Sequence, residues 1–339
     1  MTEKDRLRSA SRPTTYLKGL VGVERVMLIY SVVTLVVLLL IQDGEISLLR
    51  PVLGRVGIAV ATLLLWRIYL LHPRHYIYVV RVAFQLALLG FWYPDIYYFA
   101  RLMPNCDHVF AALDQGLFGC QPALEFARAL SSRLWSELFY MGYFSYYLML
   151  VALMAVSLGA GRRRFNSNAN IVLLSFFVFY LVFLFLQVAG PQFYFPAVGV
   201  EKIEAGVFPP VYDYFAHHAE LHHSEPTGLF MSLVQGAQGS ERPIAAFPSS
   251  HVGVSTIFMI LAYRTSKPLF GVFIPFYLLL VCSTVYIQAH YAVDVIAGLI
   301  AGLLVYQAAH KLGHHSFLSL PTTYPHSRAR HRRHHHAQA

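Results

Sequence analysis

The stretch IVLLSFFVFYLVFLFLQVA, residues 171–189, decides the fold class because it contains no charged side chain. A helix needs about 20 consecutive apolar residues to cross the hydrocarbon core of a membrane, and this stretch is close to that length. Similar stretches along the rest of the chain predict about eight crossings in all, with six or seven as alternatives. These further stretches are Val26–Ile41, Val56–Leu71, Ile77–Tyr93, Leu138–Leu158, Val252–Tyr263, Phe270–Ile287 and Tyr291–Ala309.

The composition indicates that most of the chain is surrounded by lipid. The sequence is 57% hydrophobic and 13% charged, whereas a soluble domain carries about 25% charged residues. The net charge of +9 is divided among short basic segments beside the apolar stretches, which argues against nucleic-acid binding. We therefore predict an all-α fold, a polytopic membrane helical bundle with about six to eight transmembrane helices.

The positions of lysine and arginine predict the topology. Short basic segments occur at the N-terminus, at residues 72–75, 161–164 and 264–267, and in the tail. Such segments are typical of cytoplasmic loops, so both termini are predicted to be cytoplasmic. The two longest outer loops, residues 94–137 and 190–250, are rich in proline, glycine and aromatic residues. We expect interfacial helices in them, on the periplasmic or lumenal side.

Two short segments place reactive groups at the outer ends of predicted helices: FPSSH, residues 247–251, and HYAVD, residues 290–294. Ionisable residues at membrane depth are costly and therefore predict a function. His290 and Asp294 are one helical turn apart, so the carboxylate can accept a hydrogen bond from one ring nitrogen and leave the other as a nucleophile. His251 follows a turn and can protonate a leaving alkoxide.

Together these groups predict attack of an imidazole on phosphorus. The hydroxyls of Ser249 and Ser250, with the free N–H groups of the following helix, form a cradle for phosphate. The intermediate would be a phosphohistidine, and the scheme requires neither a metal nor a cofactor. The alternative interpretations are structural: a His–Asp contact between helices and a helix cap at the serines.

The same residues resemble the signature of the type-2 phosphatidic acid phosphatase superfamily. Residues 248–251, Pro-Ser-Ser-His, are similar to its Pro-Ser-x-His block. Ser283 with His290 and Asp294 is similar to its later Ser-Arg-x-x-x-x-x-His-x-x-x-Asp block. The resemblance implies that His290 is the nucleophile, Asp294 its orienting partner and His251 the general acid.

The resemblance extends over about residues 100–310, where LDQGLFG (113–119) and GPQFY (190–194) are similar to the aureobasidin-A-resistance branch, which includes inositol phosphorylceramide synthases. Thr284 stands where the phosphatases carry arginine, and no lysine-containing block precedes Pro248. These missing cations resemble the synthase branch and require other phosphate ligands. The candidate substrate- and phosphate-binding residues are Ser249, Ser250, Arg242, Lys202, Gln192, Tyr194 and Asp114.

The resemblance implies a membrane lipid phosphotransferase. It would move a phospho-headgroup, such as inositol phosphate, from a phospholipid donor to ceramide or a similar lipid alcohol. The expected partners are these lipids and the bilayer, with no nucleic acid and no obligate protein partner. One alternative is a lipid phosphate or prenyl pyrophosphate phosphatase with water as the acceptor. An alternative of another class is a non-enzymatic transporter, which predicts ionisable residues near mid-membrane on several helices.

The segments also predict a division of the chain into four parts. The first apolar stretch follows a basic segment without a cleavage site of small residues, so we expect it to be a retained helix. The predicted parts are a cytoplasmic basic N-terminus (1–25), N-terminal transmembrane helices (26–94), a catalytic membrane domain (95–310) and a disordered basic, histidine-rich cytoplasmic tail (311–339).

The sequence leaves the roles of two residue pairs undecided. Cys106 and Cys120 share one predicted outer loop, so they either form a disulfide or remain two small apolar side chains. His218 and His222, within HHAELHH at residues 217–223, share one helical face as a zinc-binding pair would, but no third ligand is evident. We therefore predict no metal site.

Overall fold

The protein is described here by a computed structural model that covers residues 15–41, 47–218, 226, 228–238, 242–313 and 323–325. The predictions made for residues 1–14, for most of the tail and for His222 lie outside these residues. Within them the chain is an all-α bundle of long apolar helices, which confirms the predicted fold class.

The N-terminal part forms three long helical segments. The third is a helix interrupted at Leu88 and again at Ile96, and it contains Pro94, which has no backbone N–H to donate. Its pieces follow each other directly in the chain. The helices of this part are α1 (Gly22–Ile41), α2 (Leu49–Leu71), α3 (His75–Ala87), α4 (Leu89–Asp95) and α5 (Tyr97–Ala100).

The rest of the chain alternates long helices with short ones, and the short ones lie in the two predicted outer loops, as expected. In order, the helices are α6 (Asp107–Phe118), α7 (Pro122–Ala129), α8 (Arg133–Gly159), α9 (Arg162–Phe185), α10 (Pro191–Val198), α11 (Val200–Glu204), α12 (Tyr214–His217), α13 (Leu229–Gln238), α14 (Ser250–Thr265), α15 (Lys267–Tyr286) and α16 (Ala292–Gly313).

Seven helical segments of the described chain are long and apolar enough to cross a membrane, so the protein is an integral multi-pass membrane protein. A short antiparallel pair of strands, β1 (Thr15–Leu17) and β2 (Thr323–Pro325), brings the two ends of the described chain together. The helix α14 is not one of the seven, because its 16 residues extend only about 24 Å.

Two buried ion pairs join the N-terminal helices. Arg81 of α3 donates to both oxygens of Glu24 in α1 at 2.7 and 2.6 Å, and both side chains are fully buried. Arg55 of α2 donates to both oxygens of Asp95 in α4 at 3.0 and 2.7 Å. Because an unpaired buried charge is strongly destabilising, these pairs fix the positions of the four helices relative to each other.

Glycines allow α14 and α16 to cross at close range. A Cβ atom on Gly302 of α16 would lie 2.5 Å from the backbone oxygen of Gly253 in α14, which is too close for any other residue. Small residues let helix backbones approach closely in membranes. The crossing brings the start of α14 against the start of α16, where the N–H of Ser249 donates to the carbonyl of Asp294 at 3.0 Å.

One predicted helix boundary is wrong. The apolar stretch 171–189 predicts a helix that reaches Ala189, but α9 ends at Phe185. The backbone of the next residues bonds to other segments: Gln187 accepts from the N–H of Cys106, and Val188 accepts from the N–H of Ala246, both at 2.9 Å. Hydropathy does not distinguish a helix from a buried connecting segment.

Candidate active site

The segment from His290 to Asp294 turns into α16. The helix begins at Ala292, so His290 precedes it rather than lying on its face as the spacing predicted. Oδ2 of Asp294 accepts from the N–H of Tyr291 at 2.9 Å. A carboxylate in the first turn that reaches back in this way is a common helix cap. The side chain of Asp294 therefore holds the backbone next to His290.

A second carboxylate holds the same helix start from another element. Asp114, buried in α6, accepts from the N–H of Ala292 and from the N–H of Val293, each at 2.9 Å. Burial raises the pKa of Asp114, and these two donors oppose the rise. Asp114 was predicted to bind the substrate headgroup, but its oxygens are occupied by the first turn of α16.

The ring of His290 is oriented by a backbone carbonyl. Nδ1 lies 2.7 Å from the oxygen of Ala246. Because a carbonyl oxygen only accepts hydrogen bonds, Nδ1 carries the proton and Nε2 keeps its lone pair. Oδ2 of Asp294 lies 3.7 Å from the same Nδ1, which is beyond hydrogen-bond distance. The orienting hydrogen bond predicted for Asp294 is thus made by Ala246, and the carboxyl group of Asp294 lies beside it without bonding to the ring.

The imidazole of His290 is neutral at ordinary pH. Its side chain is buried, and burial lowers the pKa of His290 from 6.5 to about 4, although the hydrogen bond to Ala246 opposes part of this change. A neutral imidazole with a free Nε2 is the nucleophilic form of histidine.

His251 enters the site from the first turn of α14. Its ring lies against two tyrosines of α8, with centroid distances of 4.6 Å to Tyr143 and 4.7 Å to Tyr146. Nδ1 of His251 is buried and has no hydrogen-bond partner within the described part of the chain. The ring therefore has a nitrogen that no group among the described residues occupies.

The two histidine rings share one narrow cavity. Their centroids are 5.8 Å apart and their planes are inclined at 64°. Ser250 and Gln192, both predicted to bind substrate, line this cavity with the rings. Ser249 instead caps α14, where its hydroxyl accepts from the N–H of Val252 at 3.4 Å. The structure thus brings the two predicted histidines within reach of one small group.

The other predicted ligands lie away from this cavity. The hydroxyl of Tyr194 donates to the carbonyl of Pro209 at 2.8 Å. Lys202 is exposed on α11. Arg242 is also exposed and lines a different cavity, between α2 and the α4–α5 region. None of the three contributes to the walls between the histidines.

Asp107 is a buried carboxylate of the site that the sequence interpretation missed. It accepts from the N–H groups of Ala189 and Gly190 at 2.7 and 2.8 Å, from the hydroxyl of Tyr291 at 2.9 Å and from the amide of Asn105 at 2.5 Å. Burial raises the pKa of Asp107, and these four donors oppose the rise. Asp107 thereby joins the segment after α9 to the residue beside His290. The available signal, an acidic residue in a loop, is too common to have identified it.

An apolar cavity of about 340 Å³ adjoins the site. It lies between the third helical segment and α8 and α9, and Ser250 and His251 are part of its wall. Aromatic and aliphatic side chains make up most of its wall, including Leu86, Tyr93, Tyr146, Leu150 and Phe176.

The structure bears on the two questions that the sequence left open, the histidine pair as a zinc site and the pairing of Cys106 with Cys120. No group of three or more possible metal ligands occurs among the described residues. His218 lies near Tyr214, with its Nδ1 3.0 Å from that residue's carbonyl, while His222 is outside the described ranges. Cys106 and Cys120 carry free thiols in the structure.

Comparison with known proteins places this site in a family. A family model described as the PAP2 superfamily matches residues 110–308, more than half of the chain, and the match includes both histidines and Asp294. The chain belongs to the PAP2 superfamily. Its members are phosphatases or phosphotransferases, so the chain is an enzyme of this general type acting on lipids. Searches of the curated proteins and of the solved structures found no match.

One position differs from the PAP2 pattern on which the sequence resemblance rests. Thr284 occupies the place of the arginine in the second block. Its hydroxyl donates to the carbonyl of Val281 at 2.8 Å, and its own carbonyl accepts from the N–H of His290 at 3.0 Å. Thr284 is buried, so this position holds the backbone of His290 and supplies no cation to a phosphate.

Proposed function

We propose that this PAP2 protein is a lipid phosphotransferase that moves a phospho-headgroup from a phospholipid to a lipid alcohol through a phosphohistidine on His290. The observation that carries the proposal is the pair of imidazoles around one cavity, 5.8 Å apart between centroids. The bond from Nδ1 of His290 to Ala246 supports the assignment of Nε2 as the nucleophile.

In the first step, Nε2 of His290 attacks the phosphorus of the donor phosphodiester. The P–N bond forms as the bond between phosphorus and the glycerol oxygen breaks. Beside the anionic phosphodiester His251 takes up a proton, which it gives to that oxygen, so diacylglycerol leaves as a neutral alcohol.

In the second step, the hydroxyl of the acceptor attacks the phosphohistidine. Neutral His251 takes the hydroxyl proton, a new P–O bond forms, and the electron pair of the P–N bond returns to Nε2. Between the steps the ring of His290 carries positive charge, because Nδ1 keeps its proton. The carboxylate of Asp294, 3.7 Å from Nδ1, and the carbonyl of Ala246 stabilise that charge.

Two features favour a lipid acceptor over water. The apolar cavity lined in part by Ser250 and His251 could take up a hydrocarbon chain. Thr284 replaces the phosphate-binding arginine expected of a phosphatase, as in the synthase branch that the sequence resembles. We propose ceramide, or a lipid alcohol of similar shape, as the acceptor and inositol phosphate as the transferred group.

We propose that the reaction occurs on the periplasmic or lumenal side. The histidine cavity lies near the outer ends of the long helices, and the basic segments 72–75 and 161–164 lie at their other ends. Basic loops are retained in the cytoplasm.

The test uses the purified full-length protein and phosphatidylinositol labelled in the inositol phosphate, with and without ceramide. We expect a new labelled lipid that requires ceramide and is lost in His290→Ala. His218→Ala, an exposed histidine outside the site, is the matched control and should retain full activity. Release of labelled, water-soluble inositol phosphate regardless of ceramide would show that water is the acceptor and would overturn the transferase proposal. Binding of the lipids without any product would remove the enzymatic proposal.

A further inference from the structure

A second cavity, which we call the basic cavity, lies beside the apolar one near the outer ends of α2 and the third helical segment. It has a volume of about 500 Å³. Three arginines line it: Arg50 at the start of α2, Arg101 after α5, and Arg242 before α14. They come from three parts of the chain that are far apart in the sequence, so the fold itself gathers them.

The positive charge of this cavity is not neutralised by its own wall. Asp95 is the acidic residue of the wall, and both of its oxygens are bound by Arg55. In the described part of the chain, Arg50, Arg101 and Arg242 form no ion pair. Nε of Arg101 is buried and has no hydrogen-bond partner there. Gathering like charges around one space is costly unless an anion occupies it.

The side chains around the arginines also favour a phosphate group. Arg242 lies over the ring of Tyr97, with Cζ 5.9 Å from the centroid, which holds its guanidinium near the wall. The hydroxyl of Tyr97 is already bonded to the carbonyl of Phe215. Guanidinium groups present planar pairs of donors that match the oxygens of phosphate.

The basic cavity is separate from the histidine cavity, with which it shares no lining residue. It does share Gly90 and Pro94 with the apolar cavity. Arg50 and Arg101 also lie outside residues 110–308, the part that matches the PAP2 family. The basic cavity therefore depends on the N-terminal helices of this chain.

We propose that the basic cavity binds a phosphate group, carried by a lipid headgroup or free in solution, at a site separate from the two histidines. The proposal does not depend on the reaction at His290. A phosphate held there would bring an anionic lipid beside the opening shared with the apolar cavity, at Gly90 and Pro94.

The experiment uses the full-length protein with His290→Ala, which prevents turnover, in nanodiscs of phosphatidylcholine. Binding of phosphatidic acid and of inorganic phosphate is measured separately, by native mass spectrometry and by titration. In the test variant, Arg50→Gln and Arg101→Gln are added to His290→Ala. In the control variant, Arg133→Gln is added instead, because Arg133 is an exposed arginine at the start of α8. Thermal unfolding of each protein verifies folding, and Arg101→Lys, which keeps the charge, replaces the double variant if the latter unfolds.

We expect the double arginine variant to bind phosphatidic acid at least about tenfold more weakly, with one fewer lipid bound, while the Arg133 variant is unchanged. Arginine-dependent binding of the lipid alone assigns the site to a headgroup, and arginine-dependent binding of inorganic phosphate assigns it to the free ion. With Arg101→Lys, affinity should fall because the fork of donors is lost. Equal binding in all variants, or no binding of either probe, would overturn the proposal.

Discussion

The N-terminal helices and the catalytic part of the molecule both bury charged side chains, but they satisfy them differently. In the N-terminal helices, Glu24 is paired with Arg81 and Asp95 with Arg55. In the catalytic part, Asp107 and Asp114 are held mainly by backbone N–H groups. An acid paired with an arginine joins two helices, whereas an acid bound to backbone N–H groups fixes the course of a loop.

The difference explains how the catalytic histidine is placed. His290 lies in the short connection between α15 and α16, and its N–H donates to the carbonyl of Thr284 near the end of α15. The carboxylates of Asp107 and Asp114 bind the residues that follow it, and the carbonyl of Ala246 binds its ring. We therefore expect mutations in the N-terminal pairs to affect stability, and mutations in the carboxylates near His290 to affect catalysis.

The largest effect is expected for the histidines themselves. His290→Ala removes the nucleophile and should lower kcat by about 10⁴-fold or more, since the other groups cannot replace the covalent step. Product formation from labelled lipid measures this loss. Thermal unfolding in detergent should remain near that of the wild type. A variant with substantial residual turnover would contradict the assignment of His290.

The second-largest effect is expected from mutations of the N-terminal ion pairs, which should change stability and leave kcat unchanged. Arg81→Ala leaves Glu24 buried without its partner and should lower the free energy of unfolding by about 3–5 kcal/mol. The double variant Glu24→Leu with Arg81→Met removes both charges and should recover most of that loss. Denaturation curves measure stability, and kcat per folded molecule should be unchanged in both. A fall in kcat at full folding would show that these helices act in catalysis.

For Asp114→Ala we expect a smaller loss of stability than for Arg81→Ala, together with a lower kcat. Asp114→Ala leaves the N–H groups of Ala292 and Val293 without acceptors, which should cost about 1–2 kcal/mol. Because the chain beside His290 is then less well positioned, kcat should fall by about 10- to 100-fold with KM little changed. Asp213→Asn, a highly exposed acid in the same outer region, is the control. Lost stability with an unchanged kcat would assign Asp114 a purely structural role.

The smallest effect is expected on the pH dependence. With a pKa of about 4, His290 stays neutral as the pH falls from neutral to about 5, so the acid limb due to this group should have its midpoint near pH 4. The unfolded chain binds the proton at higher pH than the folded chain, so this group makes stability rise with pH between about 4 and 6.5. Activity and unfolding measured at each pH separate the two effects. An acid limb centred near pH 6.5 that a His251 variant retains would show that the pKa of His290 is not lowered.

Much of the fold and part of the site could be predicted from the sequence. Hydropathy located every long helix, and the positions of the two histidine segments identified the residues that share the cavity. The sequence did not reveal the roles of Asp107 and Ala246, because their contacts join distant parts of the chain. Tyr291 meets Asp107 across 184 positions, and His290 meets Ala246 across 44.

The sequence by itself determined that this chain is a multi-pass membrane helical bundle with a pair of histidines at one end, because apolar length and residue spacing are local properties. Only the tertiary structure decided which group orients His290, which carboxylates hold its loop, and that three arginines from separate segments surround one cavity. Such contacts depend on how closely the helices cross, as α14 and α16 do at Gly253 and Gly302. That distance results from packing across the whole bundle rather than from any one segment.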